Sequence, residues 1–240
     1  MQKKNSRIAV LVLGASIVSI ALFSPIRSRA QNERADYSTM APLDQYLISD
    51  EKAEIALARS AAPATIADKA EVMVLGRDGY TTAVKGSNGF TCLVERSWGQ
   101  GTNAAEFWNP KMRAPHCFNA LAAKSFAPIY LMKTRLVLAG KSKTEIGQAI
   151  ATALDNKELP ALEPGAMAYM MSKQQYLNDQ GKAWHPHVMF YYAGDTAKSW
   201  AADDPNSPVM VANDPEERVT ILFVIADKWS DGTMGPPMGQ

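Results

Sequence analysis

The chain reads as an α+β protein, an antiparallel sheet with a helical hairpin inserted between an N-terminal β-meander and C-terminal strands. Three observations predict this. Between Glu71 and Glu95 the β-rich runs "EVMVLG", "YTTAVKG" and "FTCLVE" are separated by "RDG" and "SNG", whose Asp-Gly and Asn-Gly pairs tolerate the positive φ of tight turns. Two helical segments follow, and then the β candidates "AMAYMMS", "HVMFYYA" and "RVTILFVIA". Strands grouped on either side of helices, rather than alternating with them, favour α+β over a doubly wound parallel sheet.

Taken in order, the first element is an export signal. Lys3, Lys4 and Arg7 precede the apolar run "IAVLVLGASIVSIALF", and Ser28 and Ala30 place small residues before a cleavage point, the pattern of a signal peptide over residues 1–30. The mature chain is expected to start at Gln31. An uncleaved anchor competes with this reading, but the run ends at Phe23, short of the roughly 20 apolar residues that span a bilayer. No cysteine directly follows it to carry a lipid, and no later segment is apolar and long enough to span. The expected location is the periplasm or the extracellular space.

Residues 31–48 read as a polar leader, 49–232 as one globular α+β domain and 233–240 as a flexible tail. In "SDEKAEIALARSA", Ser49 is the expected N-cap, acidic residues occupy the first turn and Arg59 lies near the end, matching the helix dipole. Pro63 is expected to end that helix and "PATIADKA" to connect it to the meander. After the third strand, "RSWGQGTNAAEFWNPKMRAPHCFN" has no steady period and reads as a long loop, a candidate functional segment. Pro128 suits the first turn of a helix through "IYLMKTRLVLA", with Ile129, Met132 and Leu136 on one face and Gly140 as its stop. "SKTE" at Ser142 to Glu145 is a capping box, and Ile146, Ile150 and Leu154 extend an apolar stripe through the second helix. "RVTILFVIA" is apolar on both faces and is expected to be central, with "TAKSWAADD" as a short helix before it.

The full chain has 25 Lys plus Arg against 24 Asp plus Glu, a formal net charge of +1. Residues 1–30 contain five basic and no acidic groups, so the mature chain has 20 against 24, a net of −4. Phosphate backbones are bound chiefly by basic surface, which argues against a nucleic-acid partner. Cys92 and Cys117 are the only cysteines, and an even count in an exported chain points to a disulfide. Its Cα atoms should lie within the roughly 4.4–6.8 Å span of such bridges. A nucleophilic Cys117 paired with His116 is the functional alternative, but neighbours on a strand point to opposite faces.

The chain has three histidines, His116, His185 and His187. If "HPHVMFY" is extended, His185, His187, Met189 and Tyr191 share a face, and Pro186, which cannot donate to a ladder, places this stretch at a strand start or sheet edge. A metal site would draw on His116, His185, His187 and Glu95 or Asp179, the residue types that suit zinc or another divalent transition metal. Acid/base catalysis and plain hydrogen bonding to neighbouring loops are the other two readings of the same residues. No H-E-x-x-H, G-x-S-x-G, Walker loop or dinucleotide glycine pattern is present. Trp98 and Trp108 bracket the long loop and Trp184 and Trp200 flank the histidines; such rings either stack on a ligand or anchor the core. Glu95 and Arg96 are expected as an exposed ion pair, and the methionines of "MAYMM" as core filling.

The segments "TAVKGSNGFTCLVERSW", "EFWNPKMRAPHCFN", "EPGAMAYMMSKQQYLND" and "WHPHVMFY" resemble a family of exported bacterial proteins with no assigned activity. The resemblance spans roughly residues 61–232 and implies export as one unit, without supplying a catalytic residue. The function expected from these readings is a binding or accessory protein for a small molecule or metal. The alternative is a metal-dependent or acid/base hydrolase using His116, His185 and His187, so whether the chain is an enzyme is open at this level.

Overall fold

A computed structural model describes residues 37–237. The expected signal peptide, residues 1–30, lies outside the described residues, as do residues 31–36 of the leader and 238–240 of the tail. The elements are α1 (Glu51–Arg59), α2 (Ala64–Ala67), β1 (Glu71–Gly76), β2 (Gly79–Val84), β3 (Thr91–Glu95), β4 (Ala114–Phe118), α3 (Ala120–Ser125), α4 (Ala127–Leu138), α5 (Lys143–Asp155), β5 (Met167–Met170), β6 (His187–Ala193), β7 (Met210–Asp214) and β8 (Val219–Ile225). These eight strands form one sheet in the order β2-β1-β3-β4-β5-β6-β8-β7. Only β1 and β3 run parallel; the other neighbours are antiparallel. The class is α+β, and among the described residues no helix is long and apolar enough to cross a membrane.

The first three strands depart from a simple meander. β2 pairs with β1, but the chain then rounds the start of β1 and enters β3 on its other side, pairing Glu71 with Thr91 and Val72 with Cys92. The Ser87 amide donates to Lys69 and the Glu71 amide to Phe90, both at 2.8 Å. A Cβ at Gly86 would fall 2.1 Å from the Glu71 nitrogen, so only glycine admits this close crossing. "SNG" is locally a turn; long-range packing makes it a crossover.

Two further strands escaped the sequence pattern. β4 lies inside the stretch read as a loop, is buried at all five positions and contains Pro115, so it shows neither alternation nor a strand-like composition. β7 is the short, largely exposed edge strand "MVAND". β8, expected to be central, lies one strand from that edge, and its Val224 is 46% exposed. Local signals fared better at the helices. Ser142 and Glu145 complete their capping box at α5, and Pro128 stands in the first turn of α4. The cap of α1 is Asp50, accepting from the Lys52 amide, rather than Ser49, and Pro63 precedes α2. The leader contributes to the core: Tyr46 is fully buried, donates to the Trp108 carbonyl at 2.8 Å and packs against Trp98. At the other end, the Gly235 amide donates to Asp227.

Strand alternation sorts the sheet into two faces. Leu93, Glu95, His116, Phe118, Met170, His187, Met189 and Tyr191 share one face, where Ile129 and Tyr130 of α4 and Ile146 and Ile150 of α5 complete the larger core. Val72, Cys92, Val94 and Cys117 share the other, packed with Ala58, Ala61 and Ala62 at and after the end of α1. Cys92 and Cys117 are direct partners across β3 and β4 and are joined as a disulfide. They face each other on one rung of the ladder with Cα atoms 3.9 Å apart, closer than the expected span. The bridge therefore turns away from His116, which removes the Cys117–His116 nucleophile. It closes a separation of 25 residues. Replacing both cysteines with Ala should lower the urea-unfolding free energy by about 3 kcal/mol through the freer unfolded chain; an unchanged midpoint would show that the sheet alone restrains this loop.

Candidate functional site

A cavity of about 490 Å³ opens on the face opposite the disulfide. Its floor follows from register. His116 pairs with Leu93, and Met170 pairs with His187. The β4–β5 pairing of Cys117 with Tyr169, carried one step further, sets His116 opposite Met170. The two imidazoles thus occupy one row on one face, two strands apart, with backbones about 10 Å from each other. Glu95 stands at the end of β3 beside them. Trp184, Tyr191, Phe126 and Phe223 supply aromatic wall, with Met112, Met189 and Leu177 as aliphatic neighbours. The Gly99–Gly101 segment and the β7–β8 turn from Asp214 to Glu217 close the remaining sides.

The polar groups of the floor are held in their neutral forms. His116 Nδ1 lies 3.1 Å from the Ala114 carbonyl and His187 Nδ1 lies 2.7 Å from the His185 carbonyl. A carbonyl oxygen can only accept, so each Nδ1 carries its proton and each neutral Nε2 keeps a lone pair. Burial lowers both imidazoles from 6.5 to about 4, against the opposing pull of those carbonyls. Burial also raises the Glu95 carboxyl to about 8, although the charge of Lys133 pulls it down. His116 Nδ1 and Glu95 Oε2 are 3.6 Å apart. With the acid protonated and the base neutral at pH 7, this is a contact between uncharged groups and not an ion pair. Glu95 is 8% exposed, and among the described residues no group donates a hydrogen bond to it. A Cβ at Gly99 would lie 2.5 Å from its Oε2, so glycine there leaves room for the carboxyl.

The β7–β8 turn is strapped to the helices behind the cavity. Lys133 of α4, fully buried, pairs with Glu217, and Glu216 accepts from the Thr102 hydroxyl and amide. Desolvation pushes Lys133 down, but Glu217, Asp214 and Glu216 outweigh it and hold the ammonium charged. Desolvation raises Glu217 to about 7 in spite of Lys133. None of Tyr130, Lys133, Tyr191 or Glu217 was singled out as a site residue from the sequence. One signal was available: Lys133 follows Ile129 by four positions and precedes Val137 by four, a charge within the buried stripe of α4.

The structure brings together three of the four residues named from sequence, Glu95, His116 and His187, and leaves His185 out of the lining. β6 begins only at His187, so strand alternation does not extend to His185, whose carbonyl instead accepts from its neighbour. β6 is also no sheet edge: it runs between β5 and β8, and His187 is 1% exposed. The expected surface pair of Glu95 and Arg96 is absent, since both are buried and Arg96 bonds Glu54 instead. Asp179 is engaged elsewhere, by Tyr37, Tyr176 and Lys111. Among the described residues no group of three His, Cys, Asp or Glu side chains is placed to hold a metal ion. Trp98 and Trp108 are buried core anchors, Trp184 lines the cavity, and Trp200 packs on Tyr192. Comparison with family models, curated proteins and solved structures finds no match, so the resemblance to exported bacterial proteins rests on the quoted segments alone.

The shifts carry opposite consequences for stability. Folding depresses His116 and His187 from 6.5 to about 4, so their contribution is complete above 6.5 and lost as the pH falls toward 4. Folding raises Glu95 from 4.5 to about 8, so its contribution is complete below 4.5 and lost as the pH rises through 8. Glu95→Gln, permanently neutral, should therefore match the wild type in urea midpoint near pH 4.5 and exceed it at about pH 9. Parallel midpoint-versus-pH curves for the two proteins would mean that Glu95 ionises freely in the folded state.

Proposed function

We propose that the chain is an exported binding protein whose cavity holds a small organic molecule, apolar over most of its surface and gripped at one polar head. The observation that carries this reading is the convergence of Glu95, His116 and His187 on the floor of a cavity of about 490 Å³ with aromatic and methionine walls. Ligand pockets have this size and this division of labour, apolar surface for affinity and a few polar groups for orientation. The signal pattern over residues 1–30 and the resemblance to exported bacterial proteins support a periplasmic or extracellular setting. The neutral apolar dye Nile red should brighten on adding the purified protein. Ala212 lies exposed at the wall of the cavity, so Ala212→Trp should cut that signal several-fold by filling the space while leaving the unfolding midpoint near the wild type. Equal dye binding by the two proteins would place the dye elsewhere and defeat this reading.

The second reading is acid/base hydrolysis, favoured by one specific contact. Glu95 Oε2 lies 3.6 Å from the protonated Nδ1 of His116, with a carboxyl raised to about 8 beside an imidazole lowered to about 4, so a proton donor on Glu95 and a proton acceptor at His116 Nε2 coexist at neutral pH. An enzyme of this kind should cleave p-nitrophenyl acetate at a rate that falls at least ~100-fold in both Glu95→Gln and His116→Gln. Wild-type turnover equal to either variant would leave binding as the function.

A further inference from the structure

We propose that this cavity selects an organic cation, an arylalkyl amine or related ammonium compound, over neutral and anionic molecules of the same shape. The inference rests on the cavity being a ligand site and names the ligand class.

Its first support is the charge of the lining. Among the described residues four carboxyl groups line the cavity, Glu95 from β3 and Asp214, Glu216 and Glu217 from the end of β7 and the β7–β8 turn, and no Lys or Arg does. Lys133 stands behind the wall and is taken by Glu217. Glu216 is held by Thr102, and Asp214 accepts from the Glu217 amide. Glu95 is the exception: more than nine-tenths buried, lining the cavity, and without a hydrogen-bond donor among the described residues. Its carboxyl faces the cavity and can take a donor from what enters there. A ligand ammonium supplies both the donor and the charge.

The second support is the inventory of hydrogen-bonding atoms. With their Nδ1 protons committed to backbone carbonyls, His116 and His187 can offer only Nε2 acceptors. A donor-rich head finds acceptors at these two nitrogens and at the carboxyl groups of the lining. The third is the walls. Tyr130, Trp184, Tyr191, Phe126 and Phe223 line the same space, and a cation held over an aromatic ring is attracted by the ring's electron-rich face, more strongly when desolvated. Among the described residues no three metal-ligating side chains meet about one point, and the aromatic lining suits an organic cation.

A proton signature follows. Glu95 is raised to about 8 by burial, and the groups around it are Tyr80 on β2, His116 on β4, Tyr130 and Lys133 on α4, Tyr191 on β6 and Glu217 in the β7–β8 turn. Of these only Lys133 carries positive charge, and it is already paired. At pH 7 an arriving ammonium should ionise Glu95 and release up to about one proton, while a neutral ligand releases none.

The test uses the purified protein with 2-phenylethylamine, 2-phenylethanol and phenylacetate, three molecules alike in ring and length and different in charge. Calorimetry at pH 7 in two buffers of different ionisation heat reads affinity and proton release together, with Nile red as a control on the cavity itself. The amine should bind at least about tenfold tighter than the alcohol and release a proton, and phenylacetate should be the weakest. Glu95→Gln should abolish the proton release and bring amine and alcohol within about threefold of each other. An amine that binds no tighter than the alcohol, or does not bind while Nile red does, overturns the cation assignment alone. Phenylacetate binding best does the same. Loss of Nile red binding along with all three ligands overturns the cavity reading beneath it.

Discussion

The architecture around the cavity depends on one buried charge. Arg96, fully buried at the end of β3, donates from Nη2 to Glu54 of α1 at 2.9 Å, from Nε to the Tyr46 carbonyl at 2.6 Å and from Nη1 to the Val94 carbonyl. Its backbone amide donates to the Tyr130 hydroxyl of α4 at 2.7 Å, and Glu54 in turn accepts from the Leu75 amide of β1. A guanidinium out of water is tolerable only when its donors are matched, and removing one partner of such a pair costs roughly 3–5 kcal/mol. Here the matching requires that α1, β1, β3, α4 and the leader all be in place at once. Because the neighbour of Arg96 is Glu95, the residue that ties these elements together also sets where the cavity carboxyl stands.

The disulfide acts on the same corner from the other face. Cys92 and Cys117 fix the rung next to the one that pairs Leu93 with His116, so slippage of β4 by one residue, which would turn His116 to the α1 face, is blocked covalently. Glu95 and His116 meet as a result of that locked register. The register of the cavity floor is therefore fixed, and its unusual protonation states come from burial among the groups that this register brings together. The third side is different in kind: the β7–β8 turn is an edge hairpin held by Lys133 with Glu217 and by Thr102 with Glu216. Two faces of the site are thus locked by core packing and covalent structure, and one by polar ties alone.

The sequence by itself determined what is encoded within a few neighbouring residues. The capping box at Ser142, the Pro128 start of α4, the alternation of His187, Met189 and Tyr191, and the pairing of the only two cysteines all follow from local geometry or simple counting. Three residues of the cavity lining, Glu95, His116 and His187, stood out because His and Glu are conspicuous in apolar surroundings. Only the tertiary structure decided the rest. β4 could not be seen because both its faces are buried, which erases the period-2 pattern by which strands are recognised. β3 lies parallel to β1 because of a glycine-permitted contact with a backbone 15 positions earlier, at Glu71. Glu95 and Arg96 are adjacent in the chain, yet one faces a cavity and the other a buried carboxylate, and nothing in their own neighbourhood distinguishes a solvated pair from two buried groups. Desolvation, which raises the one carboxyl and lowers the imidazoles around it, is a property of what surrounds a residue in space, and those surroundings are supplied by strands and helices far away in sequence.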